Sequence, residues 1–506
     1  LNQANLLLLN TGATVTRMAA SVVLGLWTTR IAYQELGRDG FGAYAAALAV
    51  VVMLPILIEA FSASAQRHMA HAIGAADAAE VRAVSATFVT MSLAGAMLLA
   101  VVVVAAAPWL AEPLKAEPPH TGRLPAAMAW IGVMTAFVLA QTPYRSYLIA
   151  KQSIALLTVY EMLESFARVA AAASLFYYAQ PTIIDYARNT ALAVAALTVA
   201  LAVWCTCRYP VTRPGRLTRV GLIAGMGLWI IVSQLGWKIR THGIQVAINT
   251  LVGAAATASY SVSLQLALYQ HSLSASVYRA VRPALVSAQG RGTHNHVRQL
   301  AVSLSKLISI GTLIASVPLF FETRAILTYW IGDATDEMVM MTRWIVAWMS
   351  IKDLTLGHIT AVHASGRVAL HEVLFSSFDV LALVVGCLAV WYGAPAWSFP
   401  CAVFFSIIGY SVVTVTLFAD VARLTPAQWA RLILAPYVAV ATIVGLVTAV
   451  LVATIEPSLG RLVLVVMVTP LVVALAAYAV GFDDEERRRL GDAFGAVMRR
   501  VRRRSV

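Results

Sequence analysis

Long apolar runs follow one another along almost the whole chain, each near the 20 residues a helix needs to cross about 30 Å of hydrocarbon. The pattern predicts fourteen spanning helices, at 5–32, 41–63, 83–107, 124–149, 153–177, 187–207, 221–249, 254–276, 299–321, 338–363, 369–391, 397–419, 429–454 and 460–481. The runs are unbroken, whereas the strands of a membrane barrel are about ten residues of alternating character. The expected fold class is therefore all-α and polytopic, with about 14 transmembrane helices. Composition agrees. Of 506 residues 60% are hydrophobic and 12% charged, with a mean hydropathy of +0.77. A soluble domain is about half apolar and a quarter charged, so this chain lacks the polar surface to coat a water-soluble globule.

A net charge of +13 in a soluble protein would suggest nucleic acid, but here the loops account for it, and no nucleic-acid partner is expected. With both termini cytoplasmic, the inside segments carry 23 Lys and Arg and the outside segments six, or 15 against six without the C-terminal tail. That bias follows the positive-inside rule. The tail at 483–506 opens on Asp483-Asp-Glu-Glu and closes on Arg-Arg-Val-Arg-Arg-Arg before Ser505, with Leu490, Phe494, Val497 and Val501 on one stripe. It reads as a basic amphipathic helix lying on an anionic cytoplasmic leaflet. The four cysteines fall in or beside apolar runs and read as structural, with neither a disulfide framework nor a metal site. Nothing at the start of the chain resembles a cleavable signal peptide.

An internal repeat is visible at an offset of 216 residues. Leu36-Gly37 and Gly42-Ala43-Tyr44 match Val252-Gly253 and Ala258-Ser259-Tyr260, each opening a new apolar run. The offset equals six spans, so the halves share orientation, as in transporters whose two lobes are related by an axis along the membrane normal. The expected organisation is an N-lobe at 1–210, a C-lobe at 211–422, two extra helices at 423–482 and the tail.

Eight basic residues lie inside predicted spans: Arg17, Arg30, Arg168, Lys238, Arg240, Lys306, Arg343 and Lys352. Facing lipid they would together cost on the order of 20 kcal/mol, so they must face protein, water or the headgroups. Arg30, Lys306 and Arg343 are close enough to helix ends to snorkel. Arg17 lies on a polar stripe with Asn10, Thr14, Ser21 and Thr28, and the seventh span repeats the pattern with Gln234, Lys238, His242, Gln245 and Asn249. Such stripes line water-filled cavities or tie helices together. Arg240 is about 200° around an ideal helix from Lys238, so the two share a cavity only if the helix bends, as Gly236 and Gly243 permit. Glu164 and Arg168 have the i,i+4 spacing of a salt bridge, which leaves Glu164 either as a pair member or as an ion-coupling site. Lys352 and Asp353 present the same alternative. Counting Arg17, Arg168, Lys238, Arg240 and Lys352 against Glu164 and Asp353, the interior is net positive and suits an anionic passenger.

The stretch Glu35-Leu36-Gly37-Arg38-Asp39-Gly40-Phe41-Gly42-Ala43-Tyr44 resembles the element after the first helix of Wzx-like polysaccharide-transport flippases. These form a branch of the multidrug/oligosaccharidyl-lipid/polysaccharide exporter superfamily. The resemblance implies export of an undecaprenyl-diphosphate-linked oligosaccharide across the bacterial inner membrane, by alternating access through a cationic cavity. It makes Arg17, Arg30, Lys238, Arg240, His242 and Lys352 the candidate substrate-binding residues, and Glu164 and Asp353 the candidates for coupling to H+ or Na+, with no other cofactor. Family members often carry a carboxylate in the seventh helix, and this chain has none there. A monomer, working with the polysaccharide polymerase machinery, is the expected state. The alternatives are a cation-coupled multidrug exporter of the same superfamily, which normally has twelve spans, and a membrane polymerase or acyltransferase. The short outer loops lack the clustered His and carboxylate groups expected of an enzyme.

Overall fold

In the computed structural model the chain is helical, with no strand among the described residues, which are 3–290, 294–483 and 486–488. Side chains are described within these except at 3–17, 19, 57–58, 60, 224–230, 232–233, 273, 275–277, 279–290, 294–297 and 364. The helices in the first half are α1 (Gln3–Met53), α2 (Ile56–Gly74), α3 (Ala78–Ala111), α4 (Leu124–Ala150), α5 (Ile154–Ala173), α6 (Ile183–Arg208), α7 (Val220–Lys238) and α8 (Ile244–Leu251). There follow α9 (Ala254–Gly290), α10 (His294–Phe321), α11 (Thr323–Ile331), α12 (Asp336–Ile351), α13 (Leu356–Ser365), α14 (Val368–Trp391) and α15 (Ser398–Leu417). Two single turns, α16 (Ala419–Ala422) and α17 (Pro426–Trp429), precede α18 (Ala435–Thr454) and α19 (Leu459–Ala476). Among the described residues nine helical stretches are long and apolar enough to cross a bilayer. Some of the fourteen expected spans are interrupted. The 221–249 run is broken by a π turn at Ile239–Gly243, and the 338–363 run by a 3-10 turn at Lys352–Thr355.

Local chemistry sets the helix ends. Asp77 caps α3 by accepting the Glu80 N–H at 2.9 Å, and Thr182 and Asp185 form a reciprocal capping box on α6. The gap expected between the first two spans is present at Gly37, and the second span carries a break that the sequence reading lacks. Two helical segments meet at Gly37, whose backbone angles are not helical, in the gap expected between 32 and 41, and a further break falls at Leu54-Pro55, inside the expected 41–63 span. Pro55 has no N–H to give to the preceding turn, whereas Gly37 takes a kink (φ 71°, ψ 170°) that glycine tolerates and other residues do not. Gly253, its partner at the repeat offset, also has positive φ, 141°. The two repeat elements meet. Arg38 donates to the Ala255 carbonyl (3.3 Å) and to Ser259 Oγ (3.0 Å). A Cβ on Gly42 would collide with the Ala254 carbonyl. The segment expected as an outer loop at 322–337 contains helix α11.

The chain divides into two compact units. The first comprises residues 1–265, 330–341 and 372–403; the second comprises 266–329, 342–371 and 404–506. In the first, Met69, Phe88, Tyr147 and Ile223 form one apolar cluster, and Val89, Tyr144, Tyr160 and Cys205 another. α3 shows the inverted polarity of a lipid-facing helix: Ser85, Thr87 and Ser92 are buried while Met97, Leu98 and Val101 are exposed. The segment 330–341 is tied into this unit by Trp330 Nε1 to the Leu26 carbonyl (2.9 Å), Tyr33 to Asp333 (2.9 Å) and Arg38 to Glu337 (3.2 Å). In the second unit α10, α18 and α19 share a core of Ile310, Leu313, Ile433, Val440 and Val473, and Trp429 bonds the Leu354 carbonyl at 3.1 Å. At the C-terminal end Asp483 and Glu486 cap one another's backbone N–H, and Lys306, buried, holds Glu486 at 2.7 Å. The rest of the expected tail helix lies outside the described residues.

Candidate functional site

The charged segment of the seventh span sits on the π turn that separates α7 from α8. Two residues apart, Lys238 and Arg240 emerge on different sides of the helix, and both are buried. Lys238 Nζ donates to the Val52 carbonyl (2.6 Å), freed by the break before Pro55, and pairs with Glu59 at 3.1 Å. Arg240 pairs with Asp379 of α14 at 2.5 Å, its guanidinium 4.7 Å from the Phe375 ring, while Tyr260 bonds the Arg240 carbonyl at 2.9 Å. The two pairs differ in access. Arg240 and Asp379 side chains are each 2% exposed, whereas Glu59 is 38% exposed against 7% for Lys238. Gly236 makes room for Asp379, since a Cβ there would lie 2.9 Å from its Oδ2.

Glu59 opens onto a cavity of about 260 Å³ within the first unit, walled by Tyr44 and Val52 of α1, Thr135 and Thr142 of α4, and Arg168 of α5. The i,i+4 bridge expected on α5 forms: Arg168 donates to Glu164 at 2.8 Å. Arg145 of α4 joins it, 2.5 Å from Glu161 and 3.8 Å from Glu164. The Arg168 side chain is 38% exposed and that of Glu164 12%. The cavity thus carries one half-open carboxylate and one half-open guanidinium, each held from behind by a more buried opposite charge.

Of the other sequence candidates, Arg30 lies on α1 with intermediate exposure, and the Arg17 side chain lies outside the described set. His242 is partly buried on the π turn, in the same segment as Lys238. Lys352 and Asp353 belong to the second unit, where they pair with each other at 2.7 Å on the 3-10 turn between α12 and α13. The lower part of the seventh-span stripe joins segments together: Gln245 donates to the Ala45 carbonyl (2.9 Å) and to Ser261 (2.8 Å), and Asn249 exchanges two hydrogen bonds with the Lys115 backbone. Sequence reading overlooked Glu59 and Asp379. The signal available was a lone carboxylate within an apolar run, which must be paired to be tolerated.

No family model and no curated protein matches the chain. Solved structures do. An inward-facing MATE-family multidrug transporter of the MOP superfamily aligns with a TM-score of 0.67 at 13% identity, over 81% of this chain and 98% of that one. The fold resembles that of this transporter. The lipid II flippase MurJ, in an inward closed conformation, aligns with a TM-score of 0.70 at 11% identity, over 93% of this chain and 98% of that one. A MOP superfamily transporter from Pyrococcus furiosus, described as having a binding pocket of reverse polarity, aligns with a TM-score of 0.62 at 12% identity over 82% of this chain.

Proposed function

We infer that the protein is a flippase that moves an undecaprenyl-diphosphate-linked oligosaccharide from the cytoplasmic to the outer leaflet of a bacterial inner membrane. Both termini are cytoplasmic in this reading, and anionic lipids bind the basic tail. The observation that carries it is the extent of the structural match: the lipid II flippase covers 93% of this chain, whereas the multidrug transporter covers 81%. A flippase of this kind needs a cation that can leave its partner for the diphosphate. Lys238 fits that role because its partner Glu59 is open on one side, so an arriving phosphate competes for the ammonium without stranding a sealed charge. Arg17 and Arg30 on α1 supply further positive charge, and H+ or Na+ drives the cycle.

The test is reconstitution of the purified chain in liposomes with a fluorescent prenyl-diphosphate oligosaccharide, and in parallel with an organic-cation drug. Saturable flipping of the glycolipid that falls at least about tenfold in Lys238→Met supports the reading. Transport of the drug alone overturns it in favour of a multidrug exporter.

A further inference from the structure

We propose that the turn joining α13 to α14 binds a divalent metal ion of the zinc type through His363, His371 and Glu372. The site is independent of the flippase reading and belongs to one short stretch of chain, 363–372.

Local structure brings the ligands together. α13 ends at Ser365, Gly366 takes the left-handed conformation (φ 83°) that glycine adopts without strain, and α14 starts at Val368. His363 lies in the last turn of α13, and His371 and Glu372 near the start of α14. Eight residues apart on one straight helix, the two histidines would be about 12 Å apart along its axis. Across this turn their rings are 5.2 Å apart, edge to face at 88°. One ligand atom from each of His363, His371 and Glu372 lies within 4.8 Å of the other two. Three atoms so placed have a point within about 2.8 Å of all of them. Zinc bonds nitrogen and carboxylate oxygen at about 2.0–2.2 Å, so side-chain rotations of under about 1 Å complete the shell.

The donor set selects the ion. Two imidazoles and a carboxylate suit zinc and its neighbours in the first transition row, whereas magnesium and calcium require oxygen ligands. Three protein ligands leave a fourth position for water. His371 and Glu372 are buried and His363 is partly exposed, which shields the ion while giving it a way in. A ligating histidine is oriented by a hydrogen bond at its second ring nitrogen, and His371 has one: its Nε2 lies 2.6 Å from Tyr410 Oη. With the metal on Nδ1, Nε2 carries the proton and donates to Tyr410. The cation within the turn is already engaged. Arg367 pairs with Asp420 at 2.9 Å and lies 5.6 Å from the centre of the Phe418 ring, which also packs against His371.

The experiment uses the full, tag-free chain in lipid nanodiscs, stripped with EDTA and titrated by calorimetry with Zn2+ and, as an optical probe, with Co2+. One Zn2+ should bind per chain, Co2+ should give the visible absorption of a four-coordinate nitrogen and oxygen site, and Mg2+ should not compete. His363→Ala, at a partly exposed helix end, should abolish both signals. Tyr410→Phe keeps all three ligands and should weaken Zn2+ about 10- to 100-fold. Because the ion joins α13 to α14, Zn2+ should raise the SDS concentration needed to unfold the wild type and leave that of His363→Ala unchanged. Zn2+ uptake that survives His363→Ala, or equal competition by Mg2+, would overturn the proposal. So would a wild type that is folded by circular dichroism and takes up no Zn2+, which would leave the cluster as an imidazolium–carboxylate pair.

Discussion

Arg240 and Asp379 form a sealed pair, and its energetics can be stated in advance. Both side chains are 2% exposed, the nearest N···O distance is 2.5 Å, and the Phe375 face covers the guanidinium. At an effective dielectric near 20, unit charges about 4 Å apart attract by roughly 4 kcal/mol. Removing one partner of a buried pair costs about 3–5 kcal/mol because the other charge is stranded, while replacing both with apolar groups is often neutral. Asp379→Leu or Arg240→Met alone should therefore lose about 3–5 kcal/mol, and the double variant no more than about 1 kcal/mol. The double-mutant cycle is measured as unfolding free energy in mixed micelles titrated with SDS and followed by tryptophan fluorescence. The same variants separate a structural from a substrate-binding role for Arg240. If the pair only ties α14 to the π turn, the double variant flips glycolipid within about twofold of the wild type. A coupling energy under about 1 kcal/mol, or a single variant as stable as the wild type, would refute the reasoning.

Four further outcomes are expected. Gly42→Val should cost at least about 2 kcal/mol, since its side chain must displace the Ala254 carbonyl, and Gly37→Ala about 1–3 kcal/mol for a conformation with φ near 71°; both are read by the same SDS titration. Burial raises the Glu337 carboxyl above its ordinary value, with Arg38 pulling it partly back, so the folded state binds more protons than the unfolded one between those two values. Stability should decline as pH rises through that window, and Glu337→Gln should flatten the slope. Lys306→Ala releases Glu486 from its 2.7 Å contact, and limited proteolysis should then cut the chain after Gly481 faster than in the wild type.

The helices are legible in the sequence because they are written in local pattern. Gly37 and Gly253, 216 residues apart in matching motifs, both have positive φ. In the seventh span the stretch between Gly236 and Gly243 holds a π turn rather than the bend expected there, and Lys238 and Arg240 pair with different carboxylates. The break at Pro55 was missed because an apolar run on both sides outweighed a single proline. The partners of the charges were out of reach for a different reason. Glu59 lies 179 residues from Lys238 and Asp379 lies 139 from Arg240, distances at which no helical periodicity operates, so only packing could assign them.

Those partners change what the interior charge means. Counted from basic residues, the spans are strongly cationic; counted with their neighbours, Lys238, Arg240, Arg168 and Lys352 each face a carboxylate within about 3 Å. Net charge therefore cannot locate a binding site here, but exposure within each pair can. Arg240 with Asp379 and Arg461 with Glu322 are closed on both sides, with no side chain above 8% exposed, so exchanging their partners would strand a buried charge. Glu59 and Arg168 are open at 38% each, on the same cavity, with their counter-charges behind them. At these groups a polar contact can be added while the ion pair behind it stays in place, whereas at the sealed pairs one partner can only be exchanged for another.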